Sequence, residues 1–164
     1  MQRPLLLVPA LVLVAGLVAS CSSGDGPESD DRAGAIYAAV IRSVVTEGTN
    51  AAEVDVPVFV APIDPKQPIS LEVQAGVVEE LHDFATVRFV DDAMEAIDED
   101  DIEQPVVDDG VLVMLGVIPA GGDRVVVEAE RYESENSHEK FGVRVARSGE
   151  TWTATLDATT VRDE

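Results

Sequence analysis

The residues in this chain best suited to chemistry are acids. Ten of them crowd one stretch: Asp91, Asp92, Glu95, Asp98, Glu99, Asp100, Asp101, Glu103, Asp108 and Asp109. Hard cations such as calcium take about six to eight oxygen ligands, and crowded carboxylates supply them. The spacing is not that of an EF-hand loop. Asp98-x-Asp100 opens as one would, but Ile102 falls on the next ligand position and the central Gly is missing. Asp98, Asp100, Asp101 and Glu103 are thus weak candidates for an irregular calcium site. The simpler expectation is a solvated acidic loop with no metal and no cofactor, in which Ala93, Met94 and Ile97 anchor a short helix to the core.

His82 lies in Glu79-Glu80-Leu81-His82-Asp83, and either Asp83 or Glu79 would orient it as a general base. No G-x-S-x-G accompanies it, and a histidine near a helix C-terminus is also favoured by the helix dipole. A structural role is therefore expected. His138, in Ser137-His138-Glu139-Lys140, is expected to be exposed in a polar hairpin. Gly121-Gly122 is followed by Asp rather than by Lys and Ser/Thr, so it reads as a turn and not a phosphate cradle. Two acids facing across a cleft would suit a glycosidase, but spacing selects no pair, and aromatics at 4% offer little for stacking a sugar. No catalytic residue is assigned.

Composition narrows the field further. The chain carries 11 Lys+Arg against 32 Asp+Glu, a formal net charge of −21 over 164 residues. A nucleic-acid partner is excluded on that balance, because phosphate binding is driven by clustered cations that release counterions. A single Cys excludes an internal disulfide framework and any multi-cysteine zinc site, and two His exclude a three-His metal centre.

That one Cys is at an informative place. Arg3 starts a short basic region, Pro4 to Val18 is apolar and uncharged, and Val18-Ala19-Ser20-Cys21 closes it. This is the layout of a secretory signal. The ending resembles the lipobox of bacterial lipoproteins, in which cleavage falls before the Cys and that Cys carries the lipid. The resemblance covers only the leader; it implies diacylation (palmitate-type chains) at Cys21 and says nothing of the domain behind it. A plain signal peptide or an uncleaved anchor helix are the alternatives. About 17 apolar-leaning residues are marginal for a span of roughly 20, and Pro4 and Pro9 count against an anchor. Two or three acyl chains hold a protein firmly, since each buried methylene contributes about 0.8 kcal/mol. The expected address is extracytoplasmic: the cell membrane's outer face, or an outer membrane where one exists.

The expected organisation is a signal peptide over 1–20, the lipidated Cys and a flexible acidic tether over 21–34, and one globular domain over 35–164. Ser22 to Gly34 lacks apolar periodicity and would reach about 20 Å from the lipid. Ile36, Val40 and Val44, with Tyr37, Ile41 and Val45 one step round, predict a helix from Ala35 to near Gly48. Val56 to Val60 reads as a strand. Ser70 caps a second helix with Val73, Val77 and Leu81 as its buried stripe. Thr86 to Val90 reads as the next strand, and the three elements suggest a βαβ unit.

Gly110 to Ile118, Arg124 to Tyr132, Phe141 to Val145 and Trp152 to Leu156 follow as an antiparallel meander, with a polar loop over Glu133 to Glu139 and a tight hairpin at Ser148-Gly149-Glu150. The fold class expected is α+β: two N-terminal helices packed on one face of a mainly antiparallel sheet that ends in a roughly four-stranded meander. Two function classes follow. The first is a non-catalytic accessory or binding module of the cell envelope, tethered to the lipid bilayer and offering a face to an envelope protein or a small ligand. The alternative is a small hydrolase or calcium-dependent enzyme built on the acids of 91–109, with or without His82.

Overall fold

Alternation along the later strands sets the sheet's two faces. In the computed structural model, which describes residues 27–47 and 54–156, Val125, Val127 and Ala129 are buried on one side of β4 (Arg124–Ser134). Phe141, Val143 and Val145 do the same on β5 (Ser137–Ser148). Val126, Glu128 and Arg144 point the other way, into solvent. β1 (Val58–Pro62) and β3 (Val111–Leu115) are different: Val58 to Ala61 and Val111 to Val113 are buried on both faces, as near-continuous apolar runs require.

The remaining elements are α1 (Pro27–Val45), α2 (Leu71–Leu81), β2 (Val87–Phe89) and β6 (Thr151–Leu156). They complete an α+β domain with one six-stranded mixed sheet in the order β2-β1-β3-β4-β5-β6. β1 pairs in parallel with both β2 and β3, and β3 to β6 are antiparallel neighbours. β1-α2-β2 is therefore a βαβ crossover. The two helices are separated by β1, as expected, and the sheet is mixed, with three antiparallel pairings and two parallel ones among the described residues. The strand–helix–strand order predicts this unit, since α2 carries the chain back along the sheet; the second parallel pairing, of β1 with β3, is the part that order does not specify.

The main core lies between both helices and the sheet. Ile36, Val40 and Val44 of α1 and Val73, Val77 and Leu81 of α2 are buried against Val60, Val113, Val127 and Val143. Each such side chain contributes about 1.5–3 kcal/mol relative to exposure. A second, smaller core sits on the opposite face. β2 and β3 flank β1, so the chain between them must cross β1, and it does so away from the helices. Ala96 and Val106 of that crossing are buried against Phe59, Ala61 and Leu112.

α1 begins at Pro27, so residues 27–34, expected in the tether, are helical. The composition that signals disorder is also a good helix start: Pro suits the first helical position, and the acids that follow complement the N-terminal dipole. Tertiary contacts then favour the helix. Arg32 donates to the Gly121 and Gly122 carbonyls at 2.8 and 3.1 Å, and Gly34 packs against the backbone of Gly76. The leader, Cys21, residues 22–26, residues 48–53 and the chain from Asp157 onward lie outside the described residues.

Two further expectations need correction. The polar loop over 133–139 shrinks to a turn at Glu135 and Asn136, because Tyr132 pairs with His138 and Arg131 with Glu139 across the strands. Charged side chains are no obstacle to a strand when their cross-strand neighbours carry the opposite charge. Met94 is 55% exposed and anchors nothing, whereas Ala93 and Ile97 do pack on the second core around the 3₁₀ turn Ala93–Ala96.

Candidate functional site

The acids of 91–109 spend much of their bonding capacity on their own backbone. Asp98 Oδ1 accepts from the Asp100 N–H at 3.0 Å, and Asp101 Oδ1 accepts from the N–H groups of Glu103 and Gln104. Asp92 and Glu95 form a reciprocal capping box on the 3₁₀ turn. Asp108 accepts from Arg88 at 2.8 Å. These are turn-forming roles. Asp98, Asp100, Asp101 and Glu103 are exposed, and among the described residues no three His, Cys, Asp or Glu converge as a metal site would require.

The two histidines occupy quite different settings. His82 ends α2, where Nδ1 donates to the Glu79 carbonyl at 2.6 Å and Nε2 lies 3.1 Å from the Asp83 carboxylate. Both ring nitrogens thus engage groups at the end of its own helix. His138 is on β5 rather than in a loop. Its Nε2 lies 2.8 Å from Glu130 Oε2, and its ring meets that of Tyr132 edge-on at 5.8 Å between centroids. Lys140 Nζ is 3.5 Å from the other Glu130 oxygen.

Glu130, Tyr132, His138 and Lys140 therefore share the sheet face opposite the helices, where Tyr132 packs against the second core, set there by the register Tyr132↔His138 and Glu130↔Lys140. An acid-oriented imidazole is half of a general-base arrangement. The described residues bring no hydroxyl or thiol within hydrogen-bonding distance of it. The cluster as it stands binds strands together. Spacing does not reveal it, because its facing members are six to ten residues apart and meet only across the hairpin.

Two of the concave features are grooves where a helix runs beside a strand that is at the edge of the sheet among the described residues. One lies between α1 and β6, about 600 Å3, and includes Ala39, Arg42, Glu80, Trp152 and Ala154. Trp152 sits between the guanidinium groups of Arg32 and Arg147, 5.3 and 5.9 Å from its ring centre. The other lies between α2 and β2, about 750 Å3, and includes Leu71, Ala75, Val78, Glu79, Val87 and Phe89. The sequence carried a signal for it. Leu71 and Val78 are seven apart, one step round the helix from the buried stripe, so α2 has a second apolar face.

Two groups outside these grooves are shifted from their ordinary values. Burial pushes the Tyr37 phenol up from its ordinary value near 10, against a smaller opposing effect of a hydrogen bond with the Ile118 backbone. Its hydroxyl donates to the Gly116 carbonyl at 2.9 Å, which ties α1 to the end of β3. The Gln67 side chain and the Lys66 N–H hold the Asp64 carboxyl below its ordinary range. Among the described residues no helix is long and apolar enough to cross a membrane. No protein-family model, no curated protein and no solved structure matches this chain.

Proposed function

We propose that the protein is a lipid-anchored, extracytoplasmic bacterial lipoprotein whose domain is a non-catalytic binding module of the cell envelope. One observation carries the anchor: the chain's single Cys is Cys21, directly behind Arg3, the apolar run Pro4 to Val18, and Val18-Ala19-Ser20. Acylation there would hold α1, which begins six residues later, close to the bilayer. In this reading the two helices on one face and the β3–β6 meander form a rigid platform. What it offers are surfaces: two helix-flanked sheet edges and a net charge of −21 that steers cationic partners toward it.

The test of the anchor is metabolic labelling with an alkyne palmitate analogue in a bacterial host. The wild-type chain should take the label and partition into detergent, and Cys21→Ala should do neither. A Cys21→Ala chain that is still labelled, or a wild-type chain that is never labelled, would overturn the anchor.

A further inference from the structure

α2 has one apolar face more than its core uses. Val73, Val77 and Leu81 are buried, yet Leu71, Ala75 and Val78 form a second stripe that faces outward. Leu71 is 76% exposed and Val78 44%. They lie beside the half-buried Val87 and Phe89 of β2, so apolar surface continues from helix to strand. Contiguous exposed apolar surface of this kind marks interaction sites.

The strand beside it is unfinished as well. Among the described residues β2 pairs only with β1. Val58 N–H donates to the Thr86 carbonyl, and Val90 N–H donates to the Val60 carbonyl. In a ladder, residues alternate in which side they bond. Thr86, Arg88 and Val90 therefore turn to β1, leaving the N–H and C=O groups of Val87 and Phe89 directed away from the sheet. No Pro or Lys blunts this edge, and Arg88 is drawn to Asp108.

Charge selects the occupant. Among the described residues no Lys or Arg lines the groove, and Glu79 does. Glu72 and Asp83 stand exposed on and just beyond the same helix, and His82, the one ring nitrogen donor there, faces the Glu79 carbonyl and the Asp83 carboxylate. The α1–β6 groove is mixed by comparison, with Arg42 beside Glu80 and Glu150. A second copy of this chain would bring acid against acid.

We propose that the α2–β2 groove docks an extended, cationic segment of another protein. Its backbone adds a strand to β2, its apolar side chains at two alternate positions seat against Leu71 and Val78, and Lys or Arg at the flanking positions of that same face meet Glu72, Glu79 and Asp83. Strand addition of this type takes affinity from the main chain and specificity from alternate side chains. The proposal deepens the binding-module reading and rests on it.

The experiment uses the full chain, methyl- and amide-labelled, in a zwitterionic micelle. It is titrated with acetyl-Lys-Thr-Val-Thr-Val-Thr-Lys-amide, whose Lys and Val share one strand face, and, separately, with the same peptide carrying Glu in place of both Lys. The lysine peptide should shift the methyl signals of Leu71, Val78 and Val87 and protect the Val87 and Phe89 amides from exchange. Binding should weaken about tenfold from roughly 0.02 to 0.3 M salt, as exposed charges become screened. Val78→Lys should weaken it by about tenfold or more through like-charge repulsion, with an unchanged circular dichroism spectrum because the side chain is exposed. Leu71→Lys is the second variant.

Equal binding of the glutamate peptide would overturn the proposal, as would the absence of any shift. Shifts confined to Thr151–Leu156 would overturn it too, while leaving the binding-module reading in place. Failure of palmitate labelling at Cys21 strikes the anchor and leaves the groove untouched.

Discussion

Arg131 is the side chain on which the join between α1 and the sheet most depends. It is 13% exposed on the helix face of β4. One terminal nitrogen donates to the Val44 carbonyl at 2.9 Å, in the last turn of α1, and the other donates to Glu139. Nε lies 3.5 Å from Glu133, and the guanidinium carbon is 5.9 Å from the Phe141 ring centre. Arg131→Met keeps the packing of the stem and removes the rest. Losing the donor to a helix-end carbonyl costs about 1 kcal/mol. Stranding Glu139 costs about 2 kcal/mol, below the cost at a fully buried pair because Glu139 remains 19% exposed. A total of about 3 kcal/mol corresponds to a urea midpoint lower by about 1.5 M, for a slope near 2 kcal/mol/M. Equilibrium urea unfolding followed by Trp152 fluorescence measures it. Arg131→Met combined with Glu139→Gln should recover about half of the loss, since no stranded carboxylate remains. A midpoint within about 0.2 M of wild type, or a double variant equal to the sum of its parts, would refute the clamp.

Other outcomes follow from single contacts. Gly110→Ala places a methyl 2.7 Å from the Pro57 carbonyl and 2.9 Å from the Phe59 ring, and must disturb the Val111 to Pro57 hydrogen bond; thermal melting should show about 1–3 kcal/mol of destabilisation. Tyr37 has a raised pKa in the fold, so its contribution is fully present below pH 10 and is lost as pH rises from there through the folded value. The stability difference between wild type and Tyr37→Phe should therefore stay constant from pH 6 to 9 and shrink above pH 10 in unfolding titrations; a difference that grows there contradicts the assignment. Because Asp98 and Asp101 already accept backbone hydrogen bonds, millimolar calcium or EDTA should leave the melting temperature unchanged, and a calcium-dependent rise of several degrees would restore the metal reading.

Legibility in the sequence tracked how local each signal was. Ser70 is an N-cap whose hydroxyl accepts from the Val73 N–H at 3.3 Å, and the stripe Val73, Val77, Leu81 is buried as its spacing demands. Gly149 turns the last hairpin at φ 65°. These depend on neighbours within four residues. The start of α1 is not legible locally because what favours it, Gly121, Gly122 and Trp152, lies far along the chain. The strand position of His138 is hidden for the same reason: its partner Glu130 comes from the other strand of the hairpin. Of the candidate docking groove only the Leu71–Val78 spacing was visible, and nothing local says that the strand beside it is an edge.

The sequence by itself determined the periods: which residues alternate, which recur every third or fourth place, where caps and turns fall, and that Cys21 stands alone behind an apolar leader. Period and turn chemistry are encoded within a few residues, so they survive without knowledge of the fold. The tertiary structure alone decided that β1 lies between β2 and β3 and that the acidic crossing covers a second core. It also decided that α2 meets solvent with an apolar face beside an open edge. Pairing of distant strands is a choice among partners of similar pattern, and it is settled by the total apolar surface buried rather than by any one segment.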